Sequence, residues 1–514
     1  MNKSLAAGLM IILSSASYSA FANGPEITLD SGRIAGTTIQ DVDVFKGIPF
    51  ASPPVGELRW QPPQPVQHWT DVRPALEYGK DCMQEPFPGD AAPLGVGFSE
   101  DCLTVNVWRP ANANGPLPVM VWIYGGGFVN GGSSPGVYSG EEFARQGVVF
   151  VSFNYRVGRF GFFAHPALAD QPLRGNYGLM DQIAALQWVQ KNIAAFQGDA
   201  QNVTLFGESA GGFSVGSMLT TDLAKGLFQK AIIQSGSGRQ NMVPKQDWQQ
   251  AEQAGLAFAQ SNDISGKDEK ALEALRQIPA DKIVNGLNMA TMSSSAYSGP
   301  MIDGKVITGE PQDLYRQGAF QHVPLMIGAT DADIGFPAEV TTLDEAVAVF
   351  ADADRQKAKL AYQGMSPQAA ALAIASDAFM VEPARFVAHI WDKAGVPVWQ
   401  YRFGYVAESM RDQWPAAVHA SEIPYVFNTL NARYADKVTV KDQAVARQTH
   451  QYWVNFARTG QPGAADLPQW NRYSLQKDNI LIIPASGAEQ TKEQTDPWKT
   501  RLDLVEKLAE QHTH

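Results

Sequence analysis

Cysteine is scarce in this sequence: Cys82 and Cys102 are the only two among 514 residues. Neither stands at a spacing typical of metal ligands, and no pair of histidines does, so we expect no metal and no other cofactor. Two cysteines this close in an exported chain favour a disulfide, whose constraint is worth roughly 3 kcal/mol in the chain-entropy model. Two free, buried thiols are the alternative.

Basic charge and long apolar runs are also lacking. Lysine and arginine number 40 against 52 aspartates and glutamates, a net charge of −12, and no basic cluster reverses that balance locally. This composition argues against nucleic acid as a partner. After the first residues, no stretch is apolar for long enough to span a bilayer, so we predict no stable membrane insertion. The oligomeric state is left open.

The first 22 residues have the pattern of a signal peptide. Lys3 supplies a positive start, Leu5–Leu13 a short apolar run, and Ala20-Phe21-Ala22 a cleavage site. The apolar run is too short for a membrane anchor, and no cysteine near the cut could carry a lipid. We therefore predict cleavage after Ala22 and a secreted or periplasmic protein.

Residues 23–514 are expected to form a single α/β domain. Apolar, β-rich runs alternate with segments of helical periodicity, which predicts a large, mostly parallel sheet flanked by helices. Residues 245–290 differ, because they are polar and rich in Gln, Lys and Ala, and we predict a helical insertion that forms a cap. The predicted strands of the sheet are Leu103–Trp108, Leu117–Tyr124, Val148–Asn154, Val203–Phe206, Ala231–Gln234, Val323–Ile327, Val398–Phe403 and Ile480–Ile483.

The chain is organised around Gly207-Glu208-Ser209-Ala210-Gly211, which joins the strand Val203–Phe206 to a helical segment. A G-x-S-x-G sequence on a strand-to-helix turn predicts a nucleophile elbow, where a serine stands exposed above the sheet. Two other stretches match the pattern, around Ser134 and Ser214. The first lacks a preceding strand and the second lies within the following helix, so Ser209 is the predicted nucleophile.

A nucleophilic serine needs a base, and the order serine, acid, histidine places that base after Ser209. His419 lies on a predicted loop after the strand Val398–Phe403, which suits a base. The other five histidines in this part of the chain suit it less, because they open a strand, sit in predicted helices or lie in the tail: His322, His389, His450, His512 and His514.

Glycines supply the expected oxyanion donors. Gly125-Gly126-Gly127 follows an apolar strand, so the bare backbone of Gly126 and Gly127 can bring N–H groups close to a substrate. The third donor is predicted to be the N–H of Ala210, directly after the nucleophile. A flexible turn is the alternative for the three glycines.

Several motifs together resemble the type-B carboxylesterases, the α/β-hydrolase family that includes the cholinesterases. The matches run from near Lys46 to Tyr473, almost the whole mature chain. The resemblance implies an α/β-hydrolase fold and a secreted carboxylesterase of bacterial type, and it supports His419 as the base. The matching stretches are Ser99–Leu103, Asn154–Gly158, Gly175–Gln182, Phe206–Gly212, Gln234–Ser237 and His419–Phe427.

The same resemblance implies a set of supporting residues. Without it, most of them would be ordinary solvated polar side chains. The implied set is the disulfide of Cys82 with Cys102, an ion pair of Glu100 with Arg156, Glu208 tuning the charge beside the nucleophile, and a polar network of Ser235 and Glu422 behind His419.

The chain departs from the family pattern at the acid of the triad, which is usually Glu. In the corresponding segment, Gly328–Gly335, the only acidic residues are aspartates. Counted from Gly328, the acid falls at Asp333, whereas Asp331 is expected to cap the turn; Glu339 lies further along the loop. A second departure concerns substrate, because residues 83–101 contain no Trp to hold a quaternary ammonium.

We therefore predict a serine carboxylic-ester hydrolase, of the EC 3.1.1 type, that forms an acyl-enzyme on small to medium neutral esters. Ser209 attacks the carbonyl of a small-molecule ester, and water activated by His419 releases the acid. The same machinery could cleave a thioester, lactone, carbamate or amide. A non-catalytic binding module is disfavoured, because serine, histidine and a carboxylate are all present.

Overall fold

A computed structural model describes residues 24–511. The predicted signal peptide and its cleavage site lie outside the described residues, as do His512 and His514. The strands are β1 (Glu26–Thr28), β2 (Arg33–Ala35), β3 (Thr37–Ile39), β4 (Val42–Pro49), β5 (Arg73–Pro74), β6 (Asp81–Cys82), β7 (Phe98–Ser99), β8 (Thr104–Pro110), β9 (Leu117–Ile123), β10 (Val149–Phe153), β11 (Gly198–Glu208), β12 (Lys230–Gln234), β13 (Leu325–Thr330), β14 (Val398–Phe403), β15 (Asn479–Ile483) and β16 (Lys492–Thr495).

Helices fill most of the segments between the later strands. They are α1 (Glu141–Arg145), α2 (Gly158–Gly161), α3 (Tyr177–Asn192), α4 (Ala210–Thr220), α5 (Trp248–Ser261), α6 (Glu269–Arg276), α7 (Ala280–Val284), α8 (Pro311–Arg316), α9 (Leu343–Ala346), α10 (Arg355–Ala361), α11 (Pro367–Ser376), α12 (Glu382–Lys393), α13 (Ile423–Val426), α14 (Leu430–Tyr434), α15 (Val440–Thr459) and α16 (Lys499–Gln511).

Eleven strands form one sheet in the order β3-β4-β8-β10-β9-β11-β12-β13-β14-β15-β16. From β10 to β15 every neighbouring pair is parallel, whereas the outer pairs are antiparallel. The predicted sheet flanked by helices is confirmed, and its centre is parallel as predicted. The small sheet of β1, β2 and β5 lies apart from it.

The central strands are buried on both faces, which explains their continuous apolar sequences. In β9, Val119, Val121, Trp122 and Ile123 are all fully buried. A parallel sheet covered by helices on both sides leaves no solvated face for alternating polar residues. This is why β9 and its neighbours could be read from the sequence as strands.

Parallel pairing brings the carboxyl ends of the central strands to one edge of the sheet. There β11 ends at Glu208, directly before Ser209, and β9 ends just before the three glycines. The next-but-one strand, β13, ends at Thr330, three residues before Asp333. Turns that follow parallel strands meet at this edge, where ligands bind in open α/β sheets.

Two buried arginines hold the helices α5–α7, which occupy the predicted insertion, against the rest of the domain. Arg59 Nη1 donates to the carbonyls of Arg276 and Ile278, each at 2.8 Å. Arg159 donates from Nη1 to the carbonyl of Ile283 and from Nε to that of Ala296, each at 2.9 Å. These bonds fix where the helical segment ends and the following loop begins.

The predicted disulfide is present: Cys82 and Cys102 are bonded, with their Cα atoms 5.1 Å apart. It closes a loop between β6 and β8 that borders the carboxyl edge of the sheet. Within residues 24–511, the helices lack the length and apolar character that a membrane span requires.

Candidate active site

Ser209 stands at the turn between β11 and α4 with strained backbone angles. Its φ is 54° and its ψ is −124°, a conformation that costs an ordinary residue about 1–3 kcal/mol. Close packing requires the flanking glycines: a Cβ on Gly211 would lie 2.0 Å from the carbonyl oxygen of Ile123. A Cβ on Gly207 would lie 2.6 Å from the carbonyl carbon of Gly211. The G-x-S-x-G sequence is therefore dictated by the sharp turn that presents Ser209.

The two competing serines are engaged elsewhere. Ser134 Oγ donates to Asp81 at 2.5 Å and accepts the N–H of Gly95 at 3.0 Å. Ser214 Oγ donates to the carbonyl of Ala210 at 2.9 Å inside α4. The hydroxyl groups of both serines are therefore engaged in structural hydrogen bonds.

His419 and Asp333 are in direct contact. Their Nδ1 and Oδ1 atoms lie 2.6 Å apart. The second carboxylate oxygen of Asp333 accepts the hydroxyl of Ser235 at 2.6 Å and the N–H of Thr330 at 3.0 Å. Two donors therefore fix this oxygen in place and leave the first oxygen to orient the imidazole.

Asp331 lies elsewhere. It is half-buried and packs against Gly404, where an added Cβ would lie 2.2 Å from its Oδ2. Its own N–H donates to the carbonyl of Phe403 at 2.9 Å. His322, His389 and His450 are also remote from Asp333: they contact Phe320, Glu506 and the carbonyl of Val426, respectively.

Three buried carboxyl groups surround His419, and they do not share one charge state. Burial acts to raise the pKa of Asp333, but His419 and the hydrogen bonds to Asp333 lower it below its usual value, so Asp333 is ionised. Burial raises the pKa of Glu208 well above its usual value, and that of Glu422 to about 7. A neutral Glu208 avoids placing a second negative charge next to Asp333.

Glu208 contacts the imidazole from the side opposite Asp333. Its Oε1 lies 3.2 Å from His419 Nε2, the nitrogen that a nucleophilic serine must reach. Burial lowers the pKa of His419, whereas Glu208 and Asp333 raise it, and the net direction is upward. A proton on Glu208 removes its share of this effect and favours the neutral imidazole that a base requires.

Ser235 and Glu422 lie behind the imidazole but bond to different partners. Ser235 donates to Asp333, whereas Glu422 Oε1 accepts the side-chain amide of Gln234 at 3.0 Å. The carbonyl oxygen of that amide in turn accepts the indole N–H of Trp453 at 3.0 Å. The predicted polar network is therefore two short chains of hydrogen bonds.

The predicted oxyanion donors lie beside Ser209. A Cβ on Gly125 would come within 3.0 Å of the Cβ of Ser209, so the glycine turn passes directly next to the nucleophile. Gly126 and Gly127 have φ values of +109° and +62°. In the part of the chain that the structure describes, the N–H groups of Gly126, Gly127 and Ala210 donate to no protein acceptor.

Ser209 and His419 line a cavity of about 980 Å³. Most of its wall is apolar, and much of that wall comes from loops for which the sequence offered no signal. The apolar wall includes Phe87, Met242, Val243, Met289, Met292, Ile334, Phe336, Phe379 and Ile423. Its acidic residues are Asp90 and Glu208, and it contains no lysine or arginine.

The predicted ion pair of Glu100 with Arg156 is wrong. Glu100 pairs with Arg59, with Oε1 and Nη2 2.5 Å apart. Arg156 instead binds Asp181 on α3 through its backbone N–H and two guanidinium nitrogens, at 2.8–3.0 Å. A fully buried guanidinium needs an equally buried carboxylate, and Asp181 is fully buried whereas Glu100 is partly exposed.

Residues 24–511 contain no cluster of three or more His, Cys, Asp and Glu side chains arranged to hold a metal ion. The arrangement offers a serine, an imidazole oriented by a carboxylate, and unpaired backbone donors around one cavity. Such a set can perform acyl transfer through a covalent intermediate.

Comparison with known proteins places this chain in a family. A model of the carboxylesterase family matches residues 23–498. The para-nitrobenzyl esterase of Bacillus subtilis (strain 168) is 35% identical, over 89% of this chain and 94% of its own. Human carboxylesterase 5A is 33% identical, over 94% of this chain and 90% of its own. A solved structure of PNB esterase superposes with a TM-score of 0.81 at 32% identity, covering 94% of this chain and 99% of that one.

Proposed function

This chain belongs to the carboxylesterase family and hydrolyses carboxylic esters, and we propose that it does so with Ser209, His419 and Asp333 as its catalytic triad. One observation carries the proposal: the 2.6 Å contact between His419 Nδ1 and Asp333 Oδ1, at the wall of the cavity into which the strained Ser209 projects. The substrates we propose are small to medium neutral esters.

In the proposed reaction, Ser209 Oγ attacks the ester carbonyl while His419 Nε2 takes its proton. The N–H groups of Gly126, Gly127 and Ala210 stabilise the oxyanion of the tetrahedral intermediate, which their lack of protein acceptors supports. His419 then protonates the departing alcohol, and the acyl group remains on Ser209. Water, deprotonated by His419, attacks this acyl-enzyme; the bond between the acyl carbon and Ser209 Oγ then breaks, His419 returns the proton to Oγ, and the acid is released.

The proposed acid does not itself transfer a proton. Asp333 holds the Nδ1–H of His419 and stabilises the imidazolium that forms when Nε2 accepts the proton. Glu208 lies on the Nε2 side, and its raised pKa keeps it neutral while Asp333 carries the charge. An additional fixed charge there would stabilise the resting imidazolium and weaken the base.

The cavity wall supports uncharged esters as substrates. It contains Asp90 and Glu208 but no basic side chain that could pair with an anionic acyl group. We expect p-nitrophenyl butyrate to be hydrolysed much faster than the p-nitrophenyl monoester of succinic acid, which differs chiefly by a terminal carboxylate. Equal kcat/KM values for the two esters would contradict this part of the proposal.

We also propose that the chain is exported and cut after Ala22, and that residues 23–514 form one domain whose insertion at 245–290 caps the cavity. The disulfide supports an oxidising compartment. The net charge of −12 supports a small-molecule ester rather than nucleic acid as the partner. N-terminal sequencing of the protein recovered from its expression host tests the cut, and a mature chain that begins elsewhere contradicts it.

A substitution at the nucleophile tests the proposed mechanism. Ser209→Ala should abolish hydrolysis of p-nitrophenyl esters and labelling by a fluorophosphonate, because loss of a triad nucleophile costs several orders of magnitude in kcat. Ser214→Ala, which changes a serine of the neighbouring G-x-S-x-G match, is the matched control and should keep activity. Activity of Ser209→Ala within about tenfold of the parent would show that another group is the nucleophile.

A further inference from the structure

Asn130 occupies an unusual place next to the proposed oxyanion donors. It is fully buried, four residues after Gly126, in the turn that leaves the glycine sequence. Its N–H donates to the carbonyl of Gly126 at 2.9 Å. A Cβ on Gly126 would lie only 2.3 Å from the carbonyl oxygen of Asn130. The position of Asn130 is thus tightly tied to the peptide groups that would bind the oxyanion.

The side-chain amide of Asn130 joins two further segments to this turn. Its Nδ2 donates to the carbonyl of Glu85 at 2.6 Å, in the disulfide-bonded loop. Its Oδ1 accepts the N–H of Met289 at 3.0 Å, in the loop that follows the helical insertion. Each end of the amide has the partner that its chemistry requires, so rotation by 180° would break both bonds.

The neighbouring Gln84 reinforces the link to the disulfide-bonded loop. Its Oε1 accepts the N–H of Gly131 at 2.9 Å, and its Nε2 donates to the carbonyls of Gly131 and Cys82 at 2.7 and 2.9 Å. The loop therefore makes several bonds to the oxyanion turn. On the insertion side, the N–H of Met289 donates to Asn130 Oδ1 at 3.0 Å, and the hydroxyl of Tyr297 donates to the carbonyl of Phe128 at 3.3 Å.

Met289 and Met292 form the cavity wall directly over the oxyanion turn. A Cβ on Gly127 would lie 3.2 Å from Met292 Sδ and 3.5 Å from Met289 Cγ. The gap between this wall and the N–H of Gly127 is the space through which the carbonyl of an ester must enter. A shift of the Met289 backbone would alter this gap and the seating of the carbonyl.

We propose that Asn130 is a positioning residue for the hydrolysis. It sets the distance between the oxyanion donors, Gly126 and Gly127, and the methionine wall formed by Met289 and Met292. The inference rests on the proposed function, since it assigns the oxyanion role to those glycines. Its effect falls on the tetrahedral intermediate more than on the bound ester, because only the intermediate requires the full donor geometry.

The test compares Asn130→Ala with Asn192→Ala. Asn192 is a matched control: it is also buried, and its amide also joins two backbone segments, accepting from Asp30 N–H at 2.9 Å and donating to the carbonyl of Trp188 at 3.2 Å. Both variants lose a buried amide and are expected to lower the melting temperature. Asn192 lines no part of the active cavity, so its loss should leave kcat unchanged.

The readout is kcat per active site, with sites counted by titration with a p-nitrophenyl phosphonate, so that partial unfolding does not lower it. Asn130→Ala should lower kcat on p-nitrophenyl butyrate about 100-fold, the size of effect that a displacement of about 1 Å produces, with a much smaller change in KM. Binding of a trifluoromethyl ketone, which mimics the tetrahedral intermediate, should weaken in proportion to kcat/KM.

Other outcomes overturn the proposal. If Asn130→Ala keeps kcat within about threefold of the parent, or if Asn192→Ala loses as much, Asn130 only stabilises the fold. Asn130→Ser, which retains a small polar side chain, gives the same comparison if the alanine variant does not fold. A parent protein without esterase activity would instead refute the proposed function, so the two failures can be told apart.

Discussion

Replacement of Asp333 by asparagine is the sharpest single test of the proposed triad. The carboxylate oxygens of Asp333 have different partners: Oδ2 accepts from Ser235 and Thr330, and Oδ1 accepts from Ile334 N–H and contacts His419 Nδ1. Asparagine is nearly the same size, so Asp333→Asn should fold. It has only one oxygen, however, and its amide nitrogen cannot accept a hydrogen bond.

The surrounding donors decide which way the new amide points. Oxygen in the Oδ2 position keeps two bonds, from Ser235 and Thr330, loses the one from Ile334 N–H, and turns the NH2 group toward His419. The imidazole must then accept at Nδ1, so that its proton moves to Nε2, the nitrogen that has to act as the base. An imidazole in this tautomer cannot deprotonate Ser209, and such a change in a serine–histidine–aspartate triad costs about 10⁴ in kcat, or about 5 kcal/mol of transition-state stabilisation.

The assay is kcat on p-nitrophenyl butyrate at neutral pH, with circular dichroism and thermal melting to establish that each variant is folded. Asp331→Asn is the control, because Asp331 packs against Gly404 and makes no contact with His419. It should keep kcat within about tenfold of the parent. The reasoning is refuted if Asp333→Asn retains near-normal kcat while Asp331→Asn loses several orders of magnitude.

Three further predictions concern stability, each measured as the free energy of unfolding in urea. Burial raises the pKa of Asp81 from 3.8 to about 6, so the folded protein binds a proton in that window that the unfolded chain does not. The contribution of Asp81 to the free energy of unfolding should therefore rise by about 3 kcal/mol as pH falls from 6 toward 3.8. Asp81→Asn should remove this contribution. Parallel pH profiles of the parent and the variant would show that Asp81 is not its source. Asp181→Asn should cost about 3 kcal/mol because it leaves Arg156 buried and unpaired, whereas Glu100→Gln should cost clearly less, and the reverse ranking would restore the rejected pairing. Replacing Cys82 and Cys102 together with alanine should cost about 3 kcal/mol, and an unchanged midpoint would mean that the bridge contributes nothing.

The parts of the site that lie on the central sheet could be predicted from sequence. The glycines around Ser209 are required by contacts within a few residues of the turn, so the local pattern carries the information. The strand β9 is a nearly continuous apolar run, and β14 and the second half of β11 are buried throughout, because helices cover both faces of the sheet. The family pattern, placed with Gly328 as its anchor, then favoured Asp333, the aspartate that contacts His419.

Long-range pairings could not be predicted in the same way. Asp181 lies 25 positions after Arg156, and the bond between them depends on how α3 packs against the loop that carries Arg156. The matching stretch Gly175–Gln182 contains Asp181, but such a motif does not show which residue is the ion-pair partner of this aspartate. Glu100 was a plausible partner in sequence, yet it lies at a partly exposed position beside Arg59.

The cavity wall could not be predicted from the sequence, and neither could the C-terminal elements of the chain. Methionines 289 and 292 stand in a loop without periodicity, and only the fold brings them to Gly127. The antiparallel strand β16 and helix α16 were not predicted either. The sequence of β16 is polar, because this strand lies at an edge of the sheet and has no fully buried residue.

The proposed catalysis and substrate selection therefore depend on different parts of this structure, the ends of the central strands and the loops around the cavity. The proposed nucleophile, base and acid follow β11, β14 and β13 in the chain, and the backbone hydrogen bonds of the sheet fix the spacing of these parallel strands. The cavity wall includes the disulfide-bonded loop and the loop that carries Met289 and Met292, and side-chain amides and guanidinium groups hold both in place. Substitutions in these holding residues, such as Asn130 and Arg159, can change which ester fits without touching the reacting groups.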